Sequence, residues 1–90
     1  MIRLSLIIPT HNRAGQLLAA LESVVRQDMP AGEWECVVVN NNSTDDTPAR
    51  FAAFAARYPA LNLRMVTETG PGVSYARNRG IAETSAPYMA

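Results

Sequence analysis

The sequence predicts an α/β domain with a parallel sheet in βαβαβα order, and three observations carry that expectation. Short β-branched apolar runs alternate with longer stretches of helical periodicity, the arrangement that builds crossover units. The unbroken run Val37, Val38, Val39 reads as a strand buried on both faces, the signature of a parallel sheet. Polar clusters follow each strand, at the carboxyl ends where sheets of this kind bind ligands.

Each element follows from its residues. Residues 3–8 (RLSLII) form the first strand, stopped by Pro9 and the polar Thr10, His11, Asn12 and Arg13. After Gly15 the apolar Leu17, Leu18, Leu21, Val24 and Val25 recur at helical spacing opposite Gln16, Glu22, Ser23 and Arg26. That predicts a helix of about fourteen residues, ended near Met29 and Pro30. Residues 34–39 (WECVVV) form the second strand. Ser43 or Thr47 can cap the next helix, with Asp45 and Asp46 near its positive end and Pro48 in its first turn. Phe51, Phe54, Ala55 and Tyr58 make its apolar stripe, up to Pro59. Residues 61–66 (LNLRMV) alternate as a weaker third strand, Gly70, Pro71 and Gly72 turn the chain, and residues 73–83 form a third helix. Residues 86–90 (APYMA) open another strand-like segment and stop without a polar terminus, as expected of a chain truncated inside its domain.

Composition excludes several function classes. Eight arginines and no lysine balance three aspartates and five glutamates to a net charge of zero, so bulk electrostatics give no case for nucleic-acid or membrane binding. The single cysteine, Cys36, excludes a disulfide framework and a cysteine-based zinc site and fits a reducing compartment. No apolar run approaches the length of a membrane span, and Arg3, Ser5 and Pro9 interrupt any signal-peptide core. These features predict a cytoplasmic protein.

The loops carry the chemistry. Pro9 to Arg13 offers a hydroxyl, an imidazole, an amide and a guanidinium where a ligand would sit, although the same residues would satisfy a turn. His11 could stack on a flat base or be a surface histidine. In the second loop Asn40 and Asn41 present amides that can pair with a base edge or ribose hydroxyls. A capping box of Ser43 with Asp46 accounts for the rest of that loop, and Asp45 and Asp46 read as capping carboxylates in preference to metal ligands. In the third segment Gly70 and Gly72 precede a helix and would let a phosphate approach backbone N–H groups, without completing a dinucleotide fingerprint or a P-loop. Arg77 lies four residues after Val73 and four before Ile81, beside the expected apolar stripe, where a guanidinium would need an anionic partner. Arg79 reads as a solvated surface residue.

Taken together, "LSLIIPTHNRAGQL", "VVVNNNSTDDT" and "GPGVSYARNRGIAE" resemble, in this order and spacing, the family 2 glycosyltransferases of the GT-A fold. The resemblance covers essentially the whole chain. It implies a Rossmann-like sheet forming the N-terminal half of a domain that binds a nucleoside-diphosphate sugar, most often of uridine or thymidine. It implies further that His11 takes the place of a base-stacking aromatic, flanked by Pro9, Thr10 and Arg13, that Asn40 or Asn41 reads the base edge or ribose, and that Gly72 and Arg77 lie along the nucleotide. The family usually carries an aspartate at the Asn40 and Asn41 positions, and this sequence does not.

By the same resemblance the full enzyme is expected to transfer a sugar to an acceptor hydroxyl with inversion, in the cytoplasm or at the inner face of the membrane. It is expected to use Mg²⁺ or Mn²⁺ held by an Asp-x-Asp motif beyond Ala90. The isolated 90 residues are expected to bind the donor without turnover, and to self-associate through an open sheet edge. Two other classes stay open: a non-catalytic nucleotide-binding or interaction domain on the same scaffold, and a flavodoxin-like or response-regulator-like module. The last of these needs an acidic cluster after the first strand, where this chain has Thr10 to Arg13.

Overall fold

The computed structural model describes residues 2–26, 30–70, 72–84 and 88–89. Four parallel strands, β1 (Leu4–Thr10), β2 (Trp34–Asn41), β3 (Leu63–Glu68) and β4 (Tyr88–Met89), lie in the order β3-β2-β1-β4. Three helices connect them: α1 (Ala14–Val24), α2 (Thr47–Ala56) and α3 (Val73–Ala82), with a short 3₁₀ turn at Ala31–Glu33. The chain runs outward from β1 to β3 and then returns to the far side of β1. A right-handed crossover in each direction therefore sends α1 and α2 to one face and α3 to the other. The reversal falls at β1, the position beside which open α/β sheets bind ligands.

The two faces are filled differently. Under α1 and α2 the large side chains Trp34, Leu17, Leu21, Phe51 and Phe54 pack with Cys36 and Val38. Burial there pushes the Cys36 thiol up to about 12, helped by the nearby Glu35 charge, so it stays protonated. Under α3 the buried cluster among the described residues is Ile7, Val37, Val39 and Ala76, with Val66 packed against it. A Cβ at Gly80 would collide with the Ile7 side chain, so the glycine is what lets α3 lie close on β1. Polar groups finish this face. Buried Ser5 donates to Glu35 at 2.7 Å, Arg64 bridges Glu35 at 3.5 Å and Glu83 at 3.1 Å, and Arg79 bridges Glu83 at 3.5 Å and Glu68 at 3.9 Å. Arg79 is exposed, as expected of a solvated surface residue, and it also pairs with these carboxylates.

Several boundaries depart from expectation. β1 runs through Pro9 to Thr10 and β2 through Asn40 to Asn41, each two residues past its apolar run. Proline is tolerated at a sheet edge, and β4 pairs only with Leu4 and Ser5, so the outer side of β1 at Pro9 is an edge among the described residues. β3 begins at Leu63, two residues later than predicted. α1 starts at Ala14 and closes after Val24, shorter than the predicted fourteen residues; Gln27, Asp28 and Met29 lie outside the described residues. Of the predicted final segment, 88–89 pair with β1 and 86, 87 and 90 lie outside the description. No described helix is long and apolar enough to cross a membrane.

Candidate functional site

The strand register sets Thr10 beside Asn40 and Asn40 beside Thr67, with Asn41 beside Glu68 one step further, so three loops leave the sheet at one level. They frame a cavity of about 700 Å³. Its floor is apolar, from Ile8, Leu17, Ala20 and Ala76, and its rim carries Thr10, His11, Arg13, Asn41, Asn42 and Gly72. A concave apolar floor with a few convergent polar groups is the usual form of a small-molecule site.

The rim is held by side-chain to backbone hydrogen bonds between loops. The Nδ1 of His11 lies 2.6 Å from the carbonyl oxygen of Asn41. A carbonyl only accepts, so Nδ1 donates, and the ring is oriented with its other nitrogen 3.5 Å from the Asn12 amide. The Asn41 amide donates to the carbonyls of Glu68 at 3.0 Å and Gly70 at 2.8 Å, and the Asn42 amide to that of Thr69 at 3.1 Å. Two carbonyl partners fix which end of Asn41 is nitrogen, and its Oδ1 carries no hydrogen bond among the described residues. That oxygen is not sealed from solvent either, since no buried side-chain polar atom lacks a partner among the described residues. On the third loop, Glu68 accepts the Gly70 N–H at 2.8 Å, and Gly72 begins α3 at φ +97°, a conformation that suits glycine.

The expected Ser43 and Asp46 capping box does not form. Asp46 stands at the N-cap of α2 without a side-chain bond. Ser43 instead accepts the Asn12 N–H, and Asp45 takes the helix-starting role by accepting the Thr47 N–H at 3.0 Å. The Thr47 hydroxyl bonded to Asp45 is the main reason its carboxyl titrates below the usual range, with a smaller opposing effect of desolvation and further help from backbone N–H groups. This supports the capping reading of Asp45.

Of the eight residues predicted from sequence, six line the cavity together: Pro9, Thr10, His11, Arg13, Asn41 and Gly72. Asn40 does not line it. Its Oδ1 accepts the Ser43 N–H at 3.1 Å and shapes its own loop. Arg77 does not line it either. Among the described residues the buried face of α3 is Ala76 and Gly80, while Ile81 is 45% exposed, so the expected stripe through Ile81 is not the buried one, and Arg77 is exposed. Sequence reasoning did not assign the other lining residues to the site: the apolar Ile8, Leu17, Ala20 and Ala76, and the polar Gln16 and Asn42. Gln16 and Ala20 share one face of α1 at i and i+4, a spacing that would have marked them once His11 and Arg13 were suspected.

A divalent metal on a diphosphate needs carboxylate or comparable oxygen ligands. Among the described residues no carboxylate lines the cavity, and no group of three or more His, Cys, Asp or Glu could hold an ion. The described donor set does not fit such a metal.

With this arrangement in view, the comparisons identify the chain's class. The family model for glycosyl transferase family 2 matches residues 5–90. The chain belongs to that family. It is 33% identical over 88 residues to an uncharacterized glycosyltransferase, YibD, of Escherichia coli, covering 98% of this chain and 24% of the relative. It is 42% identical over 79 residues to a PGL/p-HBAD biosynthesis glycosyltransferase of Mycobacterium tuberculosis, covering 86% of this chain and 29% of the relative. Among solved structures, the mannosyltransferase PcManGT of Pyrobaculum calidifontis, in complex with GDP-Man and Mn²⁺, superposes with a TM-score of 0.86 at 34% identity, over 92% of this chain and 24% of that one. TarS of S. aureus in complex with UDP-GlcNAc gives a TM-score of 0.77 at 30% identity, over 98% of this chain and 25% of that one. The chain therefore spans about a quarter of the length of the relatives it matches.

Proposed function

We propose that these residues form the donor-recognition part of an inverting glycosyltransferase, holding a nucleoside-diphosphate sugar in the cleft above β1 and β2. The observation that carries this reading is the convergence of His11, Arg13, Asn41 and Gly72 on one cavity at the reversal point of the sheet. The solved relatives contain GDP-Man and UDP-GlcNAc, which supports a nucleoside-diphosphate sugar as the donor class.

In this reading His11, oriented by its bond to the Asn41 carbonyl, supplies a flat surface for the base. The Oδ1 of Asn41, its amide hydrogens already committed, is an acceptor for a base or ribose donor. The Arg13 guanidinium and the open backbone at Gly72 meet the diphosphate. Asn40 shapes the loop, and Arg77 serves only if the nucleotide extends past the rim. The described lining contains no carboxylate for the metal found with PcManGT or for a base that deprotonates the acceptor.

The test is calorimetric titration with uridine, thymidine and guanosine diphosphates, using the parent chain and His11→Ala. Binding of at least one, weakened in the variant by roughly 1–3 kcal/mol, is the expected outcome for one lost base stack. Equal affinity of parent and variant removes His11 from the site, and no binding of any of the three by the parent overturns the reading.

A further inference from the structure

Asn12 lies outside the cavity lining, yet it makes the densest set of contacts between loops at this end of the sheet. Its N–H donates to the Ser43 hydroxyl at 3.0 Å. Its Oδ1 accepts the N–H of Thr44 at 2.7 Å and of Asp45 at 3.2 Å. Its backbone holds φ +52°, a left-handed conformation that asparagine, aspartate and glycine tolerate and branched residues do not. Of those three, only asparagine and aspartate add a side-chain acceptor.

These bonds connect in series with the others. Asp45, held by Asn12, accepts the first N–H of α2. On the other side of the same loop, Asn41 and Asn42 hold the carbonyls of Glu68, Thr69 and Gly70. The loop after β2 is thus pinned between its two neighbours, and on the β1 side the pins among the described residues are Asn12, the His11 bond and the Ala14 backbone N–H acting on the Asp45 carboxyl.

We propose that Asn12 is a positioning residue: through Oδ1 it holds the loop after β2 against the loop after β1, and so fixes the gap between His11 on one side of the cleft and Asn41 and Asn42 on the other. It touches no ligand. It acts by removing the freedom of two loops before the ligand arrives, so that binding does not have to order them. The role in nucleotide binding rests on the donor-site reading above, whereas the tie between the loops does not.

Two substitutions separate the parts. Asn12→Gly keeps the left-handed backbone and removes the acceptor, and Asn12→Asp keeps both. In the glycine variant, hydrogen exchange at the Thr44 and Asp45 amides should quicken about tenfold, and uridine or guanosine diphosphate should bind about tenfold more weakly, the scale of one lost hydrogen bond. Global stability in urea should fall by no more than the equivalent of that tenfold factor, about 1.4 kcal/mol, since these are exposed loop contacts. Asn12→Asp, which keeps the acceptor, should restore slow exchange at both amides. Unchanged exchange in Asn12→Gly overturns the proposal, as does equal quickening in Asn12→Asp. Faster exchange with unaltered nucleotide affinity also overturns it. If the parent binds neither nucleotide, the donor-site reading fails, and the exchange data alone decide whether Asn12 ties the loops.

Discussion

The two faces of the sheet solve the same packing problem with opposite materials. Beneath α1 and α2 the sheet is covered by wide side chains, Trp34, Phe51, Phe54 and two leucines, which exclude water by area. Beneath α3 the cover is Ala76 and Gly80, and the helix sits close enough that the Ile7 side chain fills the space a Cβ would take. The remainder of that face is closed by Ser5, Glu35, Arg64, Arg79 and Glu83 in a string of hydrogen bonds and ion pairs. Stability therefore resides mainly on the first face and close fit on the second. The cleft draws on both, with Leu17 and Ala20 from α1 and Ala76 from α3 in its floor.

The sharpest way to break this comparison is to empty the first face. Trp34→Ala should cost about 3–5 kcal/mol, the range for a buried aromatic truncated to a methyl group. That is a large fraction of the stability of any domain of this size. A large loss of urea midpoint is expected. Cys36, buried beside it in the same cluster, provides a second readout: its thiol should resist alkylation at pH 8 in the parent and react in the variant. A loss of unfolding free energy smaller than about 1 kcal/mol would mean that the aromatic face is not the main source of stability.

On the second face the expected change runs the other way, by overfilling. Alanine is the better helix former, yet Gly80→Ala should destabilise by about 1–3 kcal/mol because its methyl group meets Ile7 Cγ2, which cannot swing aside on a branched Cβ. Pairing it with Ile7→Ala should recover part of that loss, an interaction that a double-mutant cycle reads directly. A neutral or stabilising Gly80→Ala would show that α3 is free to move off the sheet.

How far these features could be read in the sequence depends on how local their causes are. The strands and helices were legible because hydrophobic period is a property of neighbouring residues, and the alternation of elements implied the parallel sheet. Strand ends were less legible: Thr10, Asn40 and Asn41 are polar, yet they continue the ladder because their partners lie on neighbouring strands. The same nonlocal cause hid the work of the asparagines. Asn12 meets Thr44 and Asp45 across 32 and 33 residues of sequence, a contact that exists only once β1 and β2 are side by side. The stripe of α3 differs from the expected one for a related reason, since its buried face is made of small residues that carry little hydrophobic signal.

The smallest expected effect concerns neither face but the start of α2, which links the cleft loops to the aromatic core. Asp45 is fully exposed, and its carboxyl accepts the Thr47 hydroxyl and N–H. Its folded pKa therefore lies below the unfolded value, about 3.9 for an aspartate. A group depressed in this way stabilises the fold at pH values above the unfolded pKa, and that contribution fades as the pH falls through the folded one. Asp45→Asn keeps one oxygen for the Thr47 hydroxyl and N–H and removes the charge. The parent should therefore be slightly more stable than the variant at pH 7, and the two should converge in acid once the carboxyl is protonated. Urea midpoints at pH 7 and near pH 2, with an NMR titration of the Asp45 carboxyl, decide the matter. A titration midpoint at or above the ordinary aspartate value, or a gap that persists in acid, would show that Asp45 acts by shape alone and that the charge contributes nothing to starting α2.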